Sequence, residues 1–341
     1  MISYLSKLAT ESGLAAIGVA PAIDEVRSCF PWAESVVAAV ISYLPHDNQI
    51  TDNQPRGLVA RVARGADYHT VLRNKLEHIS AYLKSEHPRA QLEICVDTTP
   101  IPERKLALLA GIAWQGKNGN VFVKGCGSYA ALGEIVTSIK LPISESLSID
   151  NCVNCDKCMR ACPTGAITAP GVLDPNKCLS QLTQTAGIIP RELRPLMQNR
   201  IYGCDICQEA CPQNADIKPI TPEFAQSVYP GAYPELIPLI NLSSNDFKIN
   251  IRNTSIGWIR RTRIRRNAAI AAGNLKCKEA VQALNEMLRD ENPVLRVHAA
   301  WALGEIASDD AICALNQALS NEQDADIIKE IRLALSKGNM T

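Results

Sequence analysis

Eight cysteines, Cys152, Cys155, Cys158, Cys162, Cys178, Cys204, Cys207 and Cys211, fall within 60 residues and constrain this chain more than any other feature. The first four read C-x2-C-x2-C-x3-C-P, the run of bacterial-type [4Fe–4S] ferredoxins. Such a run wraps one cluster with its first three thiolates, and the fourth ligates the other cluster of the pair. The later stretch YGCDICQEACP (202–212) keeps C-x2-C-x3-C-P but has Ile201 where a leading cysteine would stand. Exchange of the fourth ligand gives cluster one Cys152, Cys155, Cys158 and Cys211. Cluster two then takes Cys162, Cys204 and Cys207, and Cys178, the one other cysteine of the segment, completes it. Zinc knuckles pair two C-x2-C units without the x3-C-P step, so the spacing favours iron–sulfur chemistry over zinc.

A disulfide framework belongs to small secreted chains, and this chain has 341 residues. Its start, MISYLSKLATESG, has neither a basic segment before an apolar core nor twin arginines. Apolar runs stay far below the roughly 20 residues of a membrane span. A soluble, cytoplasmic protein without a membrane partner is expected. Formal net charge is zero, so binding a polyanion requires a local basic patch.

The expected fold class is a mixed α+β and α/β multidomain protein with three parts. Residues 1–143 read as an α/β domain, with strand patterns at 15–20, 35–44 and 92–98 and strand material at 120–139. Leu72, Leu76, Ile79 and Leu83 have helical spacing, and Pro102 and Glu103 open a further helix. Residues 144–219 form the two-cluster, ferredoxin-like part. Residues 220–341 comprise a proline-bearing connector and helical repeats. RRNAAIAAGNL (265–275) matches RVHAAWALGEI (296–306), and VQALNEML (281–288) matches ICALNQAL (312–319), both at an offset of 31. Two helices per unit, with a capping helix at IIKEIRLAL, give a short HEAT-like α-solenoid.

Several stretches go beyond ferredoxin spacing: ARGADYHTVLR (63–73), VDTTPIPERKLALLAGIAWQGKNG (96–119), LGEIVTSIKLPI (132–143) and ELRPLMQNRIYGCDICQEACP (192–212). Together with the lone Cys178 and the repeat tail, they resemble the epoxyqueuosine reductases of tRNA modification over nearly the whole chain. That resemblance implies cobalamin in the N-terminal domain beside two [4Fe–4S] clusters fed by an external one-electron donor. It implies reduction of epoxyqueuosine to queuosine at the wobble position, in the anticodon stem-loop of certain tRNAs. It also implies that Asp97, the aspartate of V-D-T-T-P, supplies a proton as water leaves.

The residues themselves leave Asp97 two roles. At a strand end before a helix it can face a ligand with a pKa raised by burial, or it can cap the helix or form a turn with Thr98 and Thr99. Strand alternation puts Cys95 on the same side, as a lining residue of the cobalamin site or a buried thiol. Arg61, Arg64, Tyr68, His69, Gln115, Gly116 and Lys117 are candidates for the corrin amides and nucleotide tail. Ser180 and Asp205 flank second-cluster ligands, where cluster and cobalamin would meet. Asp67 and His69 begin a D-x-H-x-x-G signature, but Leu72 replaces its glycine, which agrees with cobalt bound without a histidine. The segment WIRRTRIRR offers Arg260, Arg261, Arg263, Arg265 and Arg266, five arginines in seven residues, to tRNA phosphates. Two other classes remain open: a reductase of small molecules resembling reductive dehalogenases, and a non-catalytic electron-transfer protein.

Overall fold

The computed structural model describes residues 2–46, 54–145, 152 and 154–338. Strands β1 (Ala16–Pro21), β2 (Ser35–Ser42), β3 (Leu92–Cys95) and β4 (Ala130–Thr137) form one sheet in the order β1-β2-β4-β3. Every residue of β2 is buried, so the sheet is covered on both faces. Alternate residues divide between two layers, as the pleat requires. Val37, Ala39 and Ile41 pack with α1 (Ile2–Glu11) and α3 (Tyr68–Glu86), which supplies Leu72, Leu76, Ile79 and Leu83. Val36 and Ala38 pack with α2 (Asp24–Cys29) and α4 (Glu103–Leu109).

All three pairings of this sheet are antiparallel. The expected α/β layer is therefore corrected in topology: helices flank the sheet, but no parallel crossover builds it. The strand material of 120–139 also divides, into a two-residue strand Val121–Phe122 and β4, with glycine-bearing turns between. Asp67 caps α3, its carboxylate accepting the His69 N–H at 3.0 Å.

The cysteine-rich part is made of short helices α5 (Lys157–Ala161), α6 (Leu179–Gln184) and α7 (Ile206–Glu209). It is fastened to the sheet part at two places. Arg200–Tyr202 pairs in parallel with Leu58–Val59. Ser128 N–H also donates to Asn214 Oδ1 at 2.9 Å, and Gln208 donates to Tyr43 and Ser128 at 3.0 Å. Gly127 makes this contact possible. Its φ is +57°, and a Cβ there would stand 2.2 Å from Asn214 Oδ1.

Beyond α8 (Leu236–Ile240) the tail consists of α9 (Arg260–Asn274), α10 (Val281–Met287), α11 (Pro293–Ile306), α12 (Asp309–Asn321) and α13 (Ala325–Gly338). Gly273 and Gly304, equivalent across the repeat, let α9, α11 and α13 stack closely. A Cβ on Gly273 would lie 2.8 Å from Ala302 Cα, and one on Gly304 2.5 Å from Ala334 Cβ. One apolar core runs from Leu179, Ile189 and Ile201 through Leu239 to Ile270, Leu303 and Ile331, so the tail and the cysteine-rich part are packed together.

Candidate active site

Several thiols of the cysteine-rich part lie close enough to bear on one another. Burial, then Cys211 and Cys152, push Cys158 up; burial, then Cys152 and Cys155, push Cys211 up. Burial, then Cys204 and Cys178, raise Cys207 to about 12, with smaller effects from Cys158 and Cys162. No three of the described His, Cys, Asp and Glu side chains converge as ligands of one ion would. A cuboidal cluster does not ask for that, because each thiolate binds its own iron around a cage. The donor set is all thiol, which suits iron–sulfur clusters.

A cleft of about 1180 Å³ opens where the sheet part, the cysteine-rich part and the tail meet. Asp67, Tyr68, His69, Asp97 and Arg104 line one wall; Ser180, Gln184 and Tyr202 line the second; Arg252, Ser255, Trp258, Arg260 and Arg261 line the third. Ser255 Oγ is buried in this wall without a partner among the described residues, as expected of a surface that meets a polar ligand.

Asp97 stands in the mouth of the cleft in a left-handed backbone conformation, φ 54°. Its Oδ2 accepts a 2.6 Å hydrogen bond from Tyr68 Oη and lies 3.6 Å from His69 Nε2. Asp67 holds the other face of the ring, 2.7 Å from His69 Nδ1. The hydrogen bond from His69 comes first among the causes that hold Asp97 below the usual carboxylate range, although burial opposes it. His69 is pushed up to about 9 by Asp67 and then Asp97. The Asp97 side chain is more than half exposed in this arrangement. The proton of the pair rests on His69.

Of the other expected cofactor contacts, Tyr68, His69 and Ser180 line the cleft, and Gln115 lines an adjoining hollow with Asp97. Cys95 does not reach the cleft. It is fully buried beside Leu106 and Val136, because β3 ends there and the left-handed Asp97 breaks the alternation. Arg64 is buried, donating to Val59 O at 2.8 Å and stacking over Tyr233. Arg61 lies against Asp205 and Glu209, and its N–H donates to Asp205 at 2.8 Å. Both arginines act within the protein at this site. Lys117 donates to Cys155 O at 3.1 Å, toward the cluster segment, and Gly116 is buried against Phe122.

The arginine run also divides. Arg260 and Arg261 line the cleft, and Arg263 donates to Ile259 O at 2.9 Å. Arg260 has φ 65° and ψ 161°, a region that non-glycine residues enter at a cost of about 1–3 kcal/mol. Arg265 and Arg266 are corrections to the expected phosphate patch. Arg265 is buried, donating to Asp290 at 2.6 Å and to Ile240 O at 2.8 Å. Arg266 is wholly buried among the carbonyls of Leu182, Thr183, Thr185 and Gly187. Asp290 and those carbonyls arrive from elsewhere in the chain.

Spacing and motifs gave no functional role to Trp258, Tyr202, Glu103 or Glu134. Trp258 is 57% exposed at the cleft and donates to Tyr202 Oη at 3.1 Å. Glu134 carried a readable signal: a carboxylate in the middle of an apolar strand run.

Thiol-lined cluster segment, helix-flanked antiparallel sheet and helical repeats around one cleft define a multidomain iron–sulfur oxidoreductase. Residues 151–214 match the family model described as "4Fe-4S double cluster binding domain", and 260–336 match "HEAT repeats". Residues 24–98 match "Epoxyqueuosine reductase QueG, DUF1730". An epoxyqueuosine reductase of Bacillus cereus is 36% identical over 275 residues, covering 78% of this chain and 71% of the relative. A crystal structure of epoxyqueuosine reductase with an epoxyqueuosine-modified tRNA-Tyr stem loop is 32% identical, with a TM-score of 0.93 over 99% of this chain and 98% of that one. A Bacillus subtilis epoxyqueuosine reductase, whose catalytic aspartate loop is swung out of the active site, is 31% identical, with a TM-score of 0.88 over 98% and 99% of the two chains. The chain belongs to the epoxyqueuosine reductase family.

Proposed function

We propose that this chain reduces epoxyqueuosine to queuosine at the wobble position of tRNA, drawing electrons from an external one-electron donor through two [4Fe–4S] clusters. The observation that carries the reading is the three-walled cleft, which joins Asp97, the second-cluster segment at Ser180 and the arginine-bearing start of α9. Residues 1–143 form the cobalamin-binding part in this reading, 144–219 the cluster part, and 220–341 the connector and repeats. The protein works in the cytoplasm, and no helix among the described residues is long and apolar enough to cross a membrane.

Cluster one is held by Cys152, Cys155, Cys158 and Cys211, and cluster two by Cys162, Cys178, Cys204 and Cys207; the cysteine spacing and the double-cluster match over residues 151–214 support this assignment. Cobalamin, when bound, supplies a reducible cobalt centre able to act on the epoxide. The size of the cleft and the unpartnered Ser255 Oγ support its fit, with Tyr68, His69 and Ser180 as contacts. Asp97 delivers the proton to the departing oxygen. Tyr68 orients its carboxylate, and His69 holds the proton that Asp97 takes up when ligand closes the cleft and raises its pKa. Arg260, Arg261 and Trp258 grip the stem-loop by phosphate contact and base stacking.

Mass spectrometry of tRNA nucleosides from a strain lacking the gene tests the function. Epoxyqueuosine accumulates there and disappears on complementation; its absence would sink the reading. Metal analysis of the reconstituted protein should give about eight iron and one cobalt per chain.

A further inference from the structure

Converting an epoxide to an alkene and water consumes two electrons and two protons: both ring C–O bonds break, a C=C bond forms, and oxygen leaves with two O–H bonds. Asp97 has one proton to give and must then be reloaded. Two carboxyls stand behind it. Glu103 Oε1 accepts the Asp97 backbone N–H at 2.6 Å, so the residue is tied to Asp97 directly. Glu103, Asp97 and Tyr68 also line a chamber of about 230 Å³ that adjoins the cleft. Glu134 sits mid-strand on β4, opposite Cys95 on β3 and Ala38 on β2. It is fully buried, and neither carboxylate oxygen has a partner among the described residues.

A bare carboxylate in that position costs several kcal/mol, so the group keeps its proton. The charged and titratable groups that bear on the pair are few. Burial, then Glu103 and Asp97, push Glu134 up. Burial first and the Asp97 charge raise Glu103 to about 7, against the Asp97 N–H, Arg104 and His69. Cys95, facing from β3, is itself raised by burial and by Glu134. No cation is bonded to either carboxyl among the described residues.

We propose that Glu103 is a proton store behind Asp97 that reloads it once the proton drawn from His69 has been delivered, the buried Glu134 staying protonated throughout. The inference rests on the function proposed above. Asp97 gives its proton to the leaving oxygen, and Glu103 passes its own to the emptied carboxylate through solvent in the chamber. Bulk water then reloads Glu103, while both electrons come singly from the external donor. Glu134 is the deeper acid, whose proton keeps negative charge away from the other two.

The test uses Glu103→Gln and Glu134→Gln in the cluster-loaded protein. Infrared difference spectra between about pH 5 and 9 should contain a carboxyl band titrating near 7 that Glu103→Gln abolishes, and a non-titrating protonated band that Glu134→Gln abolishes. In single turnovers of the cobalamin-loaded enzyme on an epoxyqueuosine-modified stem-loop, the wild-type rate falls about tenfold per pH unit above about 7. Glu103→Gln flattens that limb and lowers the rate roughly tenfold at lower pH, with stem-loop affinity unchanged. Missing carboxyl bands, or a Glu103→Gln profile superimposed on wild type, overturn the proposal. Should Glu134→Gln fail to fold, Glu103→Gln on the partly exposed start of α4 decides alone. A wild-type protein that does not turn over refutes the function instead, and the infrared bands then judge the store.

Discussion

Replacing Arg266 by alanine removes a guanidinium that the fold has taken entirely out of water. Its donors reach Thr185 O at 2.7 Å, Gly187 O at 2.9 Å, Leu182 O at 3.0 Å and Thr183 O at 3.3 Å. Each buried acceptor left bare costs about 1–3 kcal/mol, so the three shorter bonds alone set a ceiling near ~9 kcal/mol. No carboxylate pairs with this cation among the described residues, and burial holds its pKa down to about 10. Removing it therefore recovers several kcal/mol of desolvation. The net loss is about 3–5 kcal/mol, or a melting temperature lower by about 6–10 °C at ~2 °C per kcal/mol. Anaerobic thermal unfolding followed by circular dichroism measures this, with Arg261→Ala as the cleft-lining comparison. Arg261→Ala should melt within about 2 °C of wild type while its tRNA salt slope falls by about 1. An Arg266→Ala protein that melts with wild type and keeps all its iron would refute the reasoning.

Cys178→Ser should lower the iron content from about eight to about four and remove one cluster's electron paramagnetic signal. Full iron in that variant would disprove the ligand assignment. His69, raised to about 9, gives stability that is complete below about pH 6.5 and lost as pH climbs through about 9. Wild-type melting temperatures should fall more steeply over that window than those of His69→Gln, and parallel curves would contradict the Asp67–His69–Asp97 network. Trp258→Ala should weaken stem-loop binding by about 1–3 kcal/mol, read by fluorescence anisotropy, while unchanged affinity would exclude stacking on that ring.

Local pattern announced much of this molecule. The leucine spacing of α3, the helix start at Glu103 and the repeat offset each arise from contacts within one element or its neighbour. What stayed hidden depends on distant partners. Leu58–Val59 and Arg200–Tyr202 are too short to carry a strand pattern, and their pairing fastens two parts of the chain. Five consecutive-looking arginines take different fates because a helix turns about 100° per residue and each direction meets different chain. Asp290 and the 182–187 carbonyls decided two of them. Cys95 and Asp97 parted company because one left-handed residue ended the period-two rule that would have placed them together. The chemistry of the cysteines was the most legible feature, since ligand spacing is local even where the ligand set is not.

Arg266 grips the carbonyls at the end of α6, and α6 starts immediately after Cys178. With Cys178 as the cluster ligand proposed above, metal capture at one end of that helix and docking of the first repeat at the other share a single strut. By thermodynamic reciprocity, any free energy with which iron secures Cys178 also secures the repeat tail, and a tail that loosens weakens the hold on iron by the same amount. Protease sensitivity of the repeats should thus report iron status.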